Sequence, residues 1–153
     1  MVPLTADSGD REREVDAVLR LSCIPGVGTR TLWRILERYG SGTRALRSSL
    51  AELSSWLGSD VRTALSSSEL DRRVTRALHR CRAKEIEVLL WRDVEYPDRL
   101  SQLADPPPIL FARGRTELLH TPTVTIVGAR NCTDYGRRTA EALAGRIARR
   151  GVT

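Results

Sequence analysis

The stretch TVTIVGARNCTDYGRR, residues 123–138, constrains the fold of this chain more than any other. Its first five residues are apolar or β-branched, which is typical of strands buried on both faces of a parallel sheet. Gly128 follows, and the apolar positions after it have helical spacing: Ala140, Leu143, Ala144 and Ile147. Strand, glycine turn and helix in this order predict the first half of a Rossmann-like unit.

The turn of this unit predicts an anion site. A strand that leads through glycine into a helix N-terminus presents unpaired N–H groups and a favourable helix dipole, and Arg130 adds a forked cation. The loop has one glycine where a dinucleotide fingerprint needs three, and no Walker lysine follows. Gly136 is expected to let the helix approach the strand closely. The alternative is a purely structural turn that binds nothing.

A second motif lies in LSCIPGVGTRTLWRILERYG, residues 21–40. The residues Gly26 and Gly28 predict a tight turn between two helices, with Thr29 as the N-cap of the second helix and Gly40 at its end. This pattern resembles a helix-hairpin-helix motif, whose turn directs backbone N–H groups at a nucleic-acid phosphate. The predicted auxiliary DNA contacts are Gly26, Gly28, Arg30 and Arg34. The alternative is that the hairpin only packs two helices of a small bundle.

Positive charge is concentrated in two segments. Residues 20–50 hold six arginines against Glu37 alone, and residues 113–153 hold eight arginines against three acids. The first 19 residues are acidic, with two arginines against five acids. All but one of the 25 basic residues are arginine, which suits bidentate recognition of phosphate. A genomic preference for arginine codons explains the same bias equally well.

The change of period along the chain predicts an α/β protein with two domains. Residues 1–13 are expected to be an acidic flexible tail, and residues 14–84 a small helical domain of the SAM-like, helix-hairpin-helix type. At residue 85 the period becomes that of a strand, and a short helical turn around residues 97–103 and a strand after the triple proline follow. Residues 85–153 are expected to form the truncated start of a Rossmann-like parallel-sheet domain.

Several classes of protein are disfavoured by the composition. No apolar run has the length of a membrane span, and the polar N-terminus lacks the features of a secretory signal, so a cytoplasmic location is expected. The three cysteines are far apart and suggest neither disulfides nor a zinc site: Cys23, Cys81 and Cys132. No catalytic constellation is present, so we expect no enzyme activity, metal or cofactor.

Two further runs carry a family resemblance. EYPDRLSQLADPPPILFARG, residues 95–114, followed by VTIVGARNCTDYGRR, residues 124–138, resembles the DNA-processing protein A (DprA/Smf) family, and so does the helical region with its IPGVG hairpin. The resemblance implies a single-stranded DNA-binding protein of natural transformation that protects incoming strands and helps load the RecA recombinase. It implies no catalytic reaction, and a homodimer for the complete protein.

The resemblance also implies a set of phosphate-binding residues. In the family the loop after this strand commonly reads Gly-Ser-Arg, and the matching positions here are Gly128, Ala129 and Arg130. Ala129 lacks the serine hydroxyl, which leaves its backbone N–H as the donor. The first turn of the following helix completes the predicted set with Tyr135 and Gly136.

The last residues, GVT, stand where the next parallel strand is expected to begin, so the chain is interpreted as an N-terminal fragment of a longer domain. Two alternatives to the DNA-binding function stay open. One is a nucleotide-processing enzyme of a related Rossmann-like class. The other is a helix-hairpin-helix scaffold that engages other proteins.

Overall fold

A computed structural model describes residues 8–57 and 60–153 of the chain. Helices dominate this part, which also contains one antiparallel β-hairpin and a 3₁₀ helix at Thr116–His120. The helices are α1 (Ser8–Ser22), α2 (Thr29–Tyr39), α3 (Gly42–Arg47), α4 (Leu50–Leu57), α5 (Asp60–Leu65), α6 (Ser68–Ala83), α7 (Asp98–Ser101) and α8 (Asp134–Ala148), and the strands are β1 (Ile86–Leu90) and β2 (Ile109–Arg113). Within the described residues, no helix is both long enough and apolar enough to cross a membrane.

The main hydrophobic core lies between α1 and the five helices that follow it. Apolar residues of α1 recur with helical spacing, and the helix packs against α2, α3 and α6. Almost no solvent reaches the largest side chains of this core: Val18, Leu21, Ile35, Leu36, Leu53, Val61 and Val74. Each deeply buried side chain of this size contributes about 1.5–3 kcal/mol of transfer free energy, so the core accounts for the stability of these helices.

The start of α3 lies directly against α1. A Cβ atom built at Gly42 would stand 2.9 Å from Val18 Cγ2 and 3.1 Å from Val18 N, so only glycine fits at this crossing. Glu14 of α1 is buried at the same place, and its carboxylate accepts hydrogen bonds from Gly42 N (2.5 Å) and Thr43 N (3.0 Å). A buried carboxylate is tolerated because these donors replace water.

The helical region differs from the sequence prediction at three places. Gly28, not Thr29, is the N-cap of α2, and no side chain caps that helix, whereas Gly40 ends it in the left-handed conformation as predicted. Four helices, α3–α6, follow where the apolar spacing of residues 43–84 predicted about two helices and a short one between them, and α3–α5 have only six to eight residues each. Residues 8–13 belong to α1 rather than to a flexible tail, because Arg11 ties them to Asp93 (2.6 Å) and Val88 O (2.8 Å); residues 1–7 of the predicted tail lie outside the described residues.

The β-hairpin belongs with the helices. Strands β1 and β2 pair antiparallel in the register Ile86 to Arg113 and Leu90 to Ile109, and β1 packs on α6. The loop between the strands contacts α2, because the indole of Trp33 donates to Pro106 O and stands edge-on to Trp91, with 5.4 Å between the ring centroids. One compact unit therefore extends to Gly114, and residue 85 marks the start of the hairpin but not the division between units.

The second compact unit comprises Arg115–Thr153. Val124 N donates to Thr153 O (2.8 Å) and Thr153 N donates to Pro122 O (2.8 Å), which is the bonding pattern of a parallel pair centred on Thr123 and Thr153. The prediction of a strand buried on both faces is wrong for these residues, since Val124 and Val127 are 54% and 87% exposed. Burial on both faces requires a layer packed on each side of a sheet, and the exposure of these valines shows that such layers do not cover them.

Candidate nucleic-acid interface

The loop that joins the segment 122–127 to α8 is the candidate phosphate site. Its far end is fixed by Thr133, the N-cap of α8, whose hydroxyl oxygen accepts from Gly136 N (3.2 Å) and whose carbonyl accepts from Arg137 N (3.0 Å). Its near end follows the Val124 to Thr153 hydrogen bond. Hydrogen bonds thus hold the residues on both sides of the loop.

The three predicted loop residues are exposed: Gly128, Ala129 and Arg130. None of them forms a hydrogen bond or ion pair with another described residue. The next arginine along, Arg137, is instead paired with Asp134 (2.7 Å). The backbone N–H groups of this loop and the Arg130 guanidinium are therefore available to an anion in front of the positive end of α8.

The two predicted residues on α8 differ in availability. Tyr135 is 75% exposed in the first turn of the helix, beside the loop, and can present its ring to a base. The N–H of Gly136 already donates to Thr133. A Cβ at Gly136 would first meet Thr133 Oγ1 (3.5 Å) and Cys132 Cβ (3.8 Å), so this glycine contacts its own cap and not the segment 123–127.

The hairpin before α2 has the expected backbone. Val27 N donates to Ile24 O (3.1 Å), and Gly26 has a φ of +82°, as the third position of a type II turn requires. Gly28 is extended and leaves the first N–H groups of α2 without a side-chain cap. The turn and the helix start are exposed, which fits the geometry of a helix-hairpin-helix phosphate contact.

The side chains around this hairpin are less free than the sequence suggested. Arg30 forms a bidentate ion pair with Asp105, with distances of 3.0 Å from Nε and 2.9 Å from Nη2 to the carboxylate Oδ2. The Asp105 hydrogen bonds raise the pKa of Arg30. Arg34 lines the same cleft, together with Trp33 and Pro106. A phosphate that binds Arg30 must therefore compete with a carboxylate of the same chain.

Asp105 and Thr133 are the two site residues that the sequence prediction missed. Thr133 was detectable, because a threonine just before an amphipathic helical pattern is an ordinary N-cap signal. Asp105 was not, because it lies 75 residues from Arg30 and only the fold brings the two together. The three cysteines are free thiols, and the described residues contain no cluster of His, Cys, Asp and Glu that could hold a metal ion.

Comparison with known proteins connects this geometry to a family. Residues 87–153 match the sequence model of a family described as DNA recombination-mediator protein A. The chain is 35% identical to the DNA processing protein DprA of Bacillus subtilis (strain 168) over 80 residues, which are 52% of this chain and 27% of that protein. It is 41% identical to the DNA processing protein DprA of Streptococcus pneumoniae (strain ATCC BAA-255 / R6) over 46 residues, which are 30% of this chain and 16% of that protein.

The aligned regions thus span roughly a quarter or less of each relative's length. The matched region contains the β-hairpin except Ile86, the loop with Arg130 and all of α8. The motifs in residues 95–114 and 124–138 lie inside it, and the resemblance drawn from them is confirmed. The similarity of this chain to the DNA recombination-mediator protein A family therefore lies in residues 87–153.

Proposed function

We propose that this chain is a single-stranded DNA-binding protein of natural transformation, which protects incoming strands and helps load the RecA recombinase. It acts in the cytoplasm and catalyses no reaction. The observation that carries the proposal is the exposed loop with the unpaired Arg130 guanidinium at the start of α8, inside the region that matches the family. The relatives' name, DNA processing protein, supports DNA as the ligand.

The chemistry of the loop favours the DNA backbone over the bases. An arginine fork, exposed N–H groups and a helix N-terminus recognise phosphate oxygens, which every nucleotide carries. Such contacts hold a strand without reading its sequence. Tyr135 adds a stacking surface that accepts any base.

We further propose a Rossmann-like fold for the second unit and a SAM-like fold for the helical region. The parallel pairing of Thr123 with Thr153, with α8 between them, supports the first, because a helix that joins two parallel strands is the crossover of a βαβ unit. The Gly26–Gly28 hairpin supports the second and serves as an auxiliary DNA contact. It ranks below the Arg130 loop because Asp105 already occupies Arg30.

The resemblance supports two protein partners, the RecA recombinase and a second copy of the chain in a homodimer. Both belong to this proposal as consequences of the family, and the Arg130 loop needs neither partner to bind a strand. The DNA contact can therefore be tested on the protein alone.

The test is the substitution Arg130→Ala in the 153-residue chain. We expect single-stranded DNA binding to weaken by about 1–3 kcal/mol, almost equally for unrelated sequences, and the salt slope to fall by about 0.7. The physical reason is the loss of one phosphate contact and of the counterion that it releases. Fluorescence anisotropy with labelled oligonucleotides of two unrelated sequences, at several salt concentrations, measures both quantities.

Two further variants make this experiment specific. Arg150→Ala removes the same charge at the opposite end of α8 and is expected to change the affinity by less than about twofold. Arg30→Ala combined with Arg34→Ala is expected to weaken binding less than Arg130→Ala does. Unchanged affinity in Arg130→Ala would refute the phosphate site, and a larger loss in the double variant would place the main site on the helical unit.

A further inference from the structure

A pocket on the first compact unit collects arginine side chains from three parts of the chain. Arg13 comes from α1, Arg44 and Arg47 come from α3, and Arg92 follows β1. The hydroxyls of Ser41 and Thr43 line the same pocket. It shares no residue with the loop at Arg130 or with the cleft beside Arg30.

The carboxylates of the pocket are already engaged. Asp10 pairs with Arg13 (3.3 Å), and Glu14 accepts from Gly42 N, Thr43 N and the Thr43 hydroxyl. By contrast, the guanidinium groups of Arg44 and Arg47 form no ion pair or hydrogen bond with another described residue. The positive charge on that side of the pocket therefore has no partner of its own.

Arg92 adds a buried and incompletely bonded donor. Its Nη1 donates to Gly40 O (2.7 Å), while its Nε is buried without an acceptor. Arg44 Nη1 lies 3.5 Å from the position that a Cβ would take at Gly40. Two guanidinium groups thus lie beside one glycine, and their like charges cost free energy unless an anion lies between them.

We infer that this pocket is a second phosphate-binding site. The Thr43 hydroxyl donates to Glu14 and the Ser41 hydroxyl contacts Thr43, so the guanidinium groups must hold the ligand. The three arginines without a carboxylate partner among the described residues are Arg44, Arg47 and Arg92. Together they suit a ligand with several acceptor oxygens and more than one negative charge, and phosphate is such a ligand. The phosphate comes either from a free nucleotide or from a DNA strand, and the experiment separates these sources.

The first test is a titration of the 153-residue chain with inorganic phosphate at constant ionic strength, followed by NMR of the arginine Nε–H groups. We expect a saturable shift of the Arg92 resonance. Arg44→Gln combined with Arg47→Gln should weaken phosphate binding at least about tenfold, since each lost charge-assisted hydrogen bond is a strong one. The matched control is Arg73→Gln combined with Arg76→Gln, which removes two exposed arginines at the same spacing on α6 and should change binding less than about twofold.

A second pair of titrations identifies the source of the phosphate. If the Arg44 and Arg47 double variant weakens binding of both a nucleoside diphosphate and a 5′-phosphorylated oligonucleotide, the site serves DNA. If it weakens only the nucleoside diphosphate, the site serves a free nucleotide. The inference is overturned if the Arg92 resonance does not saturate with phosphate, or if the control pair weakens binding as much as the Arg44 and Arg47 pair.

Discussion

At the scale of single residues, the buried carboxylate of Glu14 joins α1 to the start of α3. Its side chain is 6% exposed, yet it accepts hydrogen bonds from two backbone N–H groups and one hydroxyl at the start of α3. These N–H groups have no partner within their own helix, as is true of every helix start. A side chain 28 residues away therefore accepts from two N–H groups that the Ser41 N-cap, which bonds Arg44 N, leaves without a partner.

Glu14→Gln should lower the free energy of unfolding by about 1–3 kcal/mol, because an amide places N–H groups against donors that need an acceptor. Glu12→Gln, two residues earlier on the exposed side of α1, is the control and should stay within about 0.5 kcal/mol. Urea denaturation followed by circular dichroism measures both. Equal losses in the two variants would show that the buried hydrogen bonds of Glu14 contribute nothing particular.

Tyr96 gives the first compact unit a dependence on alkaline pH. Its ring is 4% exposed, its hydroxyl donates to Pro107 O (2.7 Å), and burial raises its pKa above the ordinary 10.0. The unfolded chain therefore loses this proton first, so the stability present below pH 10 is lost as the pH rises toward the folded pKa.

The corresponding prediction concerns Tyr96→Phe. At about pH 8 it should cost about 1 kcal/mol for the lost hydrogen bond, and toward about pH 11 the difference from the unsubstituted chain should shrink. Urea denaturation at both pH values measures this difference. A gap that stays constant or widens with pH would contradict the assignment.

Features of the candidate sites that depend on neighbouring residues could be predicted from the sequence, whereas contacts between distant residues could not. The exposed loop with Arg130 and the Gly26–Gly28 turn could be located from sequence, because glycine, arginine and a following helix are neighbours along the chain. The ion pair of Arg30 with Asp105 was not predicted, because residues far apart in the sequence have no characteristic spacing that would indicate a contact. The predicted loop could thus be located from sequence, whereas the occupancy of the hairpin required the fold.

At the scale of elements, apolar spacing and capping residues in the sequence predicted the longer helices. They did not predict the number and bounds of the short helices α3–α5. The apolar spacing of α2 and the serine N-cap of α6 were readable in the sequence. The region from α3 to α5 was less clear, because helices of six to eight residues contain too few turns for a period to repeat. Their ends are set by caps such as Ser41, whose side chain accepts from Arg44 N (3.1 Å).

The close contact of α1 and α3 at Gly42 predicts whether Gly42→Ala raises or lowers the stability of the protein. Helix propensity alone would make Gly42→Ala stabilising by about 1 kcal/mol. We expect it instead to destabilise by about 1–3 kcal/mol, because the new methyl group would meet the Val18 backbone N at 3.1 Å, which cannot move aside as a side chain would.

Gly9→Ala is the control for this prediction, since a Cβ there would meet only the flexible end of Arg13 at 3.5 Å. It should be neutral or slightly stabilising. Thermal unfolding of the two variants, compared with the unsubstituted chain, decides the matter. A stabilised Gly42→Ala protein would mean that α1 and α3 are not in close contact.

At the scale of the whole molecule, the chain consists of two units with unequal cores. Many buried apolar side chains lie in the unit that ends at Gly114, whereas α8 in the second unit has no fully buried residue. The sequence predicted two domains with a boundary at residue 85, because the strands after that residue were expected to join the strand at residues 123–127 in one sheet. The contacts of Trp33 and Arg30 with the hairpin loop decide otherwise, and they involve residues too distant for sequence spacing to reveal.

Hydrogen exchange should report this inequality directly. We expect strong protection of backbone N–H groups in α1, α2 and α6, and weak protection from Val124 to Ile147, because exchange follows local unfolding free energies. Mass spectrometry of peptides from both units, at two protein concentrations, also shows whether the exposed Val124 and Val127 lead to self-association. Uniformly slow exchange through both units in a monomer would contradict this prediction.

The bond between Arg11 and Asp93 has a consequence for the synthesis of the protein. Asp93 is 82 residues later than the arginine that it binds, and Val88, whose carbonyl binds the same arginine, is 77 residues later. At the usual pace of translation, about 5–20 residues per second, Arg11 of α1 is made about 4–16 s before Asp93. During that interval α1 can pack only on helices made before the hairpin, and the hairpin then fixes the first turn of α1 through Arg11.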